Sequence, residues 1–156
     1  MLSIKPNSRY TEIIKMIDNS KTLLDAVIEG DEGAVAAALE EAHGQVTSPL
    51  SYNNEQSMQS AIGLAFFYAT SRYTIVKEMP AGKGYADMAF IPYVPNVPAM
   101  VVELKRNRGV ETAMGQMRER RYEQALQRYK GEVLLVGISY DAESKKHTCK
   151  IERTTR

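Results

Sequence analysis

Two apolar runs joined by a short turn limit the fold of this chain more than any other stretch. Tyr85 to Val94 sets Met88 and Phe90 on one face and Ala89 and Ile91 on the other. Met100-Val101-Val102-Glu103-Leu104-Lys105 repeats the pattern. Apolar residues on both faces mark strands that are covered on both sides. Between the runs, Val94-Pro95-Asn96-Val97-Pro98 supplies turn chemistry. Reflecting the chain about Pro95 sets Asp87 opposite Glu103. Directly opposed residues of an antiparallel pair have Cβ atoms about 4.5–5.5 Å apart. Side chains alternate, so Lys105 shares the face of Glu103. The register depends on the loop length, because a slip of one residue sends each side chain to the other face.

Two carboxylates that close do not both stay ionised alone. Either one takes a proton or a cation sits between them. A hard divalent ion such as Mg²⁺ suits the second case, since it binds oxygen and typically uses one or two carboxylates. An amine beside it can hold or deprotonate an attacking water, or stabilise charge growing on phosphate. The same spacing also fits a structural ion pair of Lys105 with Glu103 or Asp87 in an ordinary sheet. In either case, charges at the end of so apolar a run are costly without partners.

Upstream, Arg9 to Glu29 carries Ile13, Ile14, Ile17, Leu23, Leu24, Val27 and Ile28. The spacing predicts one or two amphipathic helices, broken near Asp18-Asn19-Ser20 and ended by Gly30. Asp31 can cap the next helix, which stops near Gly44. Ser48-Pro49-Leu50-Ser51 reads as a boundary, dividing a helical arm (1–47) from a larger unit (48–156). Asn53 or Asn54 then caps a helix to about Thr70, with Met58, Ala61, Ile62, Ala65, Phe66 and Ala69 as its buried stripe. Glu55 lies in its first turn. There it is either a surface carboxylate favoured by the helix dipole, by about 0.3–1 kcal/mol, or a third acid near the metal.

Tyr73 to Glu78 reads as a strand, and Gly82 and Gly84 allow a sharp entry into the next one. After Lys105 a long helix is expected from Val110 to Tyr129. Val110, Ala113, Met114, Met117, Ala125, Leu126 and Tyr129 would line its buried side, and Gln116 and Tyr122 would flank it. Lys105, Arg106, Arg108, Arg118, Arg120, Arg121 and Arg128 make this segment basic. The arginines suit either phosphate contacts or a solvated helix paired with Glu111, Glu119 and Glu123. Glu132 to Ser139 is a buried strand, and Lys145 to Arg153 a charged edge strand.

Charge decides little, because 20 basic against 19 acidic residues leave +1, so any nucleic-acid footprint must be local. Cys149 stands alone, which forbids an internal disulfide and suits a reducing, cytoplasmic setting. Its place in a terminal strand reads as packing. His43 and His147 form no zinc spacing with it. The longest uncharged run, Gln56 to Ser71, is too short and too polar for a membrane span. Lys5, Pro6 and Asn7 argue against a signal peptide.

The order helix, strand, strand, strand, helix, strand, strand, with Gly82-Lys83-Gly84-Tyr85-Ala86-Asp87, Glu103-Leu104-Lys105, Gln116 and Tyr122, resembles the PD-(D/E)XK nuclease superfamily. It looks most like the branch found as C-terminal domains of bacterial AAA-ATPase-like proteins. The resemblance covers about Ser48 to Ile151, and Ala86 stands where the superfamily name has proline. It implies an α/β, restriction-endonuclease-like fold: a mixed sheet flanked by helices with an αβββαβ core. It further implies Mg²⁺- or Mn²⁺-dependent cleavage of nucleic acid, in particular DNA. Asp87 and Glu103 would hold the metal, with Glu55 and the Leu104 backbone carbonyl as further ligands. Lys105 would position water or stabilise the charged phosphate, and Gln116 would point into the site.

The arm before Ser48 then matches a helical linker to an ATPase domain in a longer chain. The sequence itself has no Gly-Lys-Ser/Thr phosphate loop. Two other readings fit the same residues. One is a catalytically silent module that binds nucleic acid or regulates the ATPase. The other is a homodimeric structural domain using tyrosine- and methionine-bearing surfaces such as Met114 and Met117.

Overall fold

The computed structural model of the chain describes residues 8–45, 53–81, 84–120, 126, 129 and 131–155. Two helices come first, α1 (Ser8–Glu29) and α2 (Glu32–Gln45), then α3 (Glu55–Ala65) and a 3-10 turn at Phe67–Ser71. The strands are β1 (Tyr73–Ala81), β2 (Gly84–Pro92), β3 (Ala99–Arg106), β4 (Glu132–Asp141) and β5 (Lys146–Thr155), and α4 (Val110–Glu119) crosses between β3 and β4. The strands form one sheet in the order β1-β2-β3-β4-β5. Among the described strands only β3 and β4 run parallel, as a helical crossover requires. This is the α/β, restriction-endonuclease-like mixed sheet flanked by helices that the element order implies.

The alternation within the strands builds two cores. Met88, Phe90, Met100, Val102, Leu104, Leu134, Val136 and Ile138 pack toward α1, α2 and α3. Ala99, Val101, Val133 and Leu135 pack toward Met114 and Met117 of α4. Those two methionines are therefore core residues, which corrects their reading as an interface. Val110, Ala113, Met114 and Met117 recur three and four apart and are all buried.

Gly137 lets α4 come this close to the sheet. A Cβ there would stand 2.6 Å from the Met114 sulfur and 3.3 Å from the Ala113 methyl.

The helices depart from expectation in three places. No break interrupts α1, which is one helix of 22 residues. The polar residues that suggested a break make tertiary bonds instead. Asn19 Nδ2 donates to the Ala38 carbonyl at 3.0 Å, and the buried Ser20 hydroxyl accepts the Tyr68 N–H at 2.8 Å. Ile13, Ile14 and Ile17 are exposed, so the buried stripe of α1 begins only at Leu23. Helix α3 stops at Ala65 rather than Thr70 and tightens into the 3-10 turn. Asn54 is its cap, accepting the Ser57 N–H at 2.7 Å. Helix α4 ends at Glu119, where the Arg120 N–H bonds back to Gln116 and Arg118. The rest of its expected span, with Arg121, Tyr122, Ala125 and Arg128, falls largely outside the described residues, as do Gly82, Lys83 and the Ser48–Ser51 boundary.

Two acids of α2 close the open side of β5. Glu32 accepts the Ile151 N–H at 2.8 Å, and Glu40 accepts the His147 N–H at 3.1 Å. Cys149 is buried between them, and burial pushes its thiol up to about 12. His43 and His147, distant in sequence, bring their rings within 5.8 Å of each other, with Tyr140 beside both.

Candidate active site

The site forms where the sheet opens. The β2–β3 ladder pairs Phe90 with Met100, Ala89 with Val101 and Met88 with Val102. One further step of that register would set Asp87 opposite Glu103, but the ladder ends before that pair is formed. At that point the regular pairing lapses on both sides of Asp87. The β2–β3 ladder ends at Met88, and the β1–β2 ladder passes from Lys77–Met88 to Met79–Ala86. Glu78, the β1 residue skipped there, takes a left-handed φ of 51°.

Side chains fill the gap. The Asp87 carboxylate accepts the Leu104 N–H at 2.8 Å. Glu55, at the start of α3, approaches the next N–H on that edge, Arg106, at 3.5 Å. Gln59, one turn along α3, donates its amide to the Asp87 carbonyl at 2.7 Å. Residues two apart on a strand lie about 7 Å apart, so Asp87 and Glu55 stand side by side along β3. A residue's N–H and C=O point to the same side of its strand, so the Leu104 carbonyl also faces this gap.

Glu103 and Lys105 project from β3 toward α4. They are only 2% and 6% exposed, and burial this deep demands partners. Lys105 finds one in Gln116 of α4, donating from Nζ to Oε1 at 2.8 Å. Glu103 is engaged as well, while its Oε2 is buried and accepts no hydrogen bond from the described residues. The close seat of α4 over Gly137, the β4 partner of Glu103, is what brings Gln116 down to Lys105.

The donor set suits a hard divalent cation in part. Mg²⁺ prefers oxygen ligands, and the oxygens nearest the gap are the Asp87 carboxylate and the Leu104 carbonyl, with the Glu103 carboxylate next to them in sequence on β3. Glu55 reaches the same strand edge but does not complete a cluster. Among the described residues no three of His, Cys, Asp and Glu gather closely enough to hold a metal.

The basic segment divides. Arg118 pairs with Glu152 of β5, not with the glutamates of its own helix. Arg120 lies over Gly84, with its Nη1 3.0 Å from where a Cβ would stand, at the entry of β2.

Sequence reasoning missed Gln59 and Gly137. Gln59 carries a signal, since it lies four residues after Glu55 and so on the same helical face. An isolated glycine inside the apolar run Val133–Ile138 likewise signals a close approach of another element.

No helix among the described residues is long and apolar enough to cross a membrane. Comparison with curated proteins returns no match. A family model does match, over residues 53–150, and its span takes in α3, the whole opening between β2 and β3, α4 and β4. On this match the chain belongs to the PD-(D/E)XK nuclease superfamily.

Proposed function

We propose that the chain is a metal-dependent nuclease that hydrolyses phosphodiester bonds in DNA. The observation that supports this reading is the β2–β3 ladder, which runs to Met88–Val102 and leaves Asp87 and Glu103 as the next residue on each strand, with Lys105 two further along β3. In this reading Asp87, Glu103 and the Leu104 carbonyl hold Mg²⁺ or Mn²⁺, with Glu55 contributing from the edge. The bound cation would supply charge neutralisation at the phosphate and a more acidic water. Lys105, held by Gln116, donates to the attacking water or to a phosphate oxygen. Gln59 and the Leu104 N–H fix Asp87 before substrate arrives. Residues 1–47 then act as an arm and 48–156 as the nuclease-like domain, attached to an AAA-ATPase-like partner in the cytoplasm.

The test is cleavage of plasmid and single-stranded DNA with Mg²⁺ or Mn²⁺. Wild type should cut, and Lys105→Ala should not, with its fold retained by circular dichroism. Equal cutting by the variant would assign the activity elsewhere.

The lack of a three-ligand cluster among the described residues favours a second reading, a silent module that binds nucleic acid or regulates an attached ATPase. Calorimetry separates the two. Heat of Mn²⁺ binding, lost in Asp87→Asn, supports the enzyme, and neither heat nor thermal stabilisation supports the module.

A further inference from the structure

The first half of α1 carries an apolar face that the described residues leave uncovered. Tyr10, Ile13, Ile14 and Ile17 follow one another at gaps of three, one and three, so they share one side of the helix. All four are exposed, Tyr10 by 62%. Met16, three residues after Ile13, is exposed beside them. Further along the same side, Leu24 and Val27 are fully buried in the core. The change comes at Asn19 and Ser20, which bond the Ala38 carbonyl and the Tyr68 N–H. Before them the stripe runs bare from Tyr10 to Ile17, about 12 Å along the axis.

The patch extends onto the body of the domain. Phe67 precedes Tyr68, whose N–H Ser20 holds against α1, and it is 57% exposed. Leu64, near the end of α3, is exposed as well. Together these side chains leave on the order of 700 Å² uncovered, beyond the roughly 300–600 Å² of the largest apolar patch on a typical monomer. A stable protein pair buries about 800 Å² on each side, so the patch is close to the size that such a contact needs.

The spacing selects the partner. Gaps of three, one and three read the same in both directions. A second copy laid antiparallel, with a two-fold axis between Ile13 and Ile14, sets Ile13 over Ile14 and Tyr10 over Ile17, twice. A two-fold contact requires a surface that complements itself in this way. The same arrangement sends the two domain bodies, each joined from Asn19 onward, to opposite ends of the helix pair. Each body then carries Phe67 toward the start of the other copy's α1, where Tyr10 stands. We propose that the Tyr10–Ile17 face of α1 joins two copies of this chain as an antiparallel helix pair. The surface is distinct from Met114 and Met117, which lie in the core. Nothing in it depends on the nuclease reading.

The test is the oligomeric state of the full chain. In sedimentation equilibrium across micromolar concentrations, the wild type should pass from one chain mass toward two. Ile14→Glu and Ile17→Glu should each weaken the pairing tenfold or more, with the urea midpoint kept, because both side chains are exposed in the single chain. Tyr85→Ser, which removes an equally exposed aromatic from β2, should pair as the wild type does. A short bismaleimide then reads the direction. Tyr10→Cys mixed with Ile17→Cys should link faster than either variant links to itself, while buried Cys149, its thiol pushed up to about 12, stays silent. A wild type that remains a single chain throughout would overturn the proposal, and its capture by anionic vesicles would assign the face to a membrane instead. Pairing that survives both glutamate variants would also overturn it, as would linking no faster in the mixture than in either variant alone.

Discussion

The carboxylate of Asp87 bonds the backbone N–H of Leu104 at 2.8 Å, where β2 leaves β3. A side chain thus replaces a missing ladder bond and is fixed against the β3 backbone by the same contact. Asp87→Asn keeps an acceptor oxygen but removes the charge. It should leave stability within about 1 kcal/mol of wild type and lower Mg²⁺-dependent cleavage by about 100-fold or more. Asp87→Ala orphans the N–H and should in addition cost about 1–3 kcal/mol. Urea denaturation and plasmid nicking, measured on both variants, separate the two effects.

Gln116 holds the Lys105 amine at 2.8 Å, which in the proposed nuclease makes it a positioning residue. Gln116→Leu should lower kcat about tenfold or more, as misplacement of a reacting group does, with KM little changed. Gln116→Glu keeps an oxygen for the amine and should recover most of the rate. A loss that appears in KM alone would mean that Gln116 serves substrate binding instead.

Gly137 sits under Met114, and a Cβ there would come within 2.6 Å of its sulfur. Gly137→Ala should destabilise the fold by about 1–3 kcal/mol through overpacking. Adding Met114→Ala should return part of that loss, because the two sites couple directly. Additive losses in the denaturation series would show that α4 does not ride on this contact.

His147 should make the fold acid-sensitive. Burial lowers its pKa from 6.5 to about 4, with nearby His43 adding to the shift and Glu40 opposing it. The unfolded chain therefore takes up the proton first as pH falls. Stability is full above the unfolded value of 6.5 and drains away as pH falls toward 4, by about 3 kcal/mol in all. His43, also lowered by burial and by Lys145, acts in the same direction. Urea midpoints across this range should fall less in His147→Gln than in wild type. Parallel curves would place the acid sensitivity on other groups.

The β2–β3 register was legible as far as Met88–Val102 because the turn is short and both strands are strongly patterned, whereas the end of the ladder just before Asp87 was not. The Cys149 packing role was legible for a similar reason. The exposure of Ile13, Ile14 and Ile17 was not, because periodicity shows that a helix has an apolar face and not that a partner covers its full length. Asn19 and Ser20 misled because a local capping signal and a tertiary hydrogen bond use the same side chains. Glu55 could be placed in a first turn, but its reach to the Arg106 N–H depends on the gap left by β2. The meeting of His43 and His147 depends on how α2 docks on β5, which no local pattern encodes.

Glu32 and Glu40 make α2 stand in for a sixth strand: they occupy backbone donors that β5 would otherwise offer to any passing chain. A fragment shortened to begin at residue 48 would lose this cover. It would carry a border whose backbone donors at Ile151 and His147 have lost their acceptors, the kind of edge that other chains can extend.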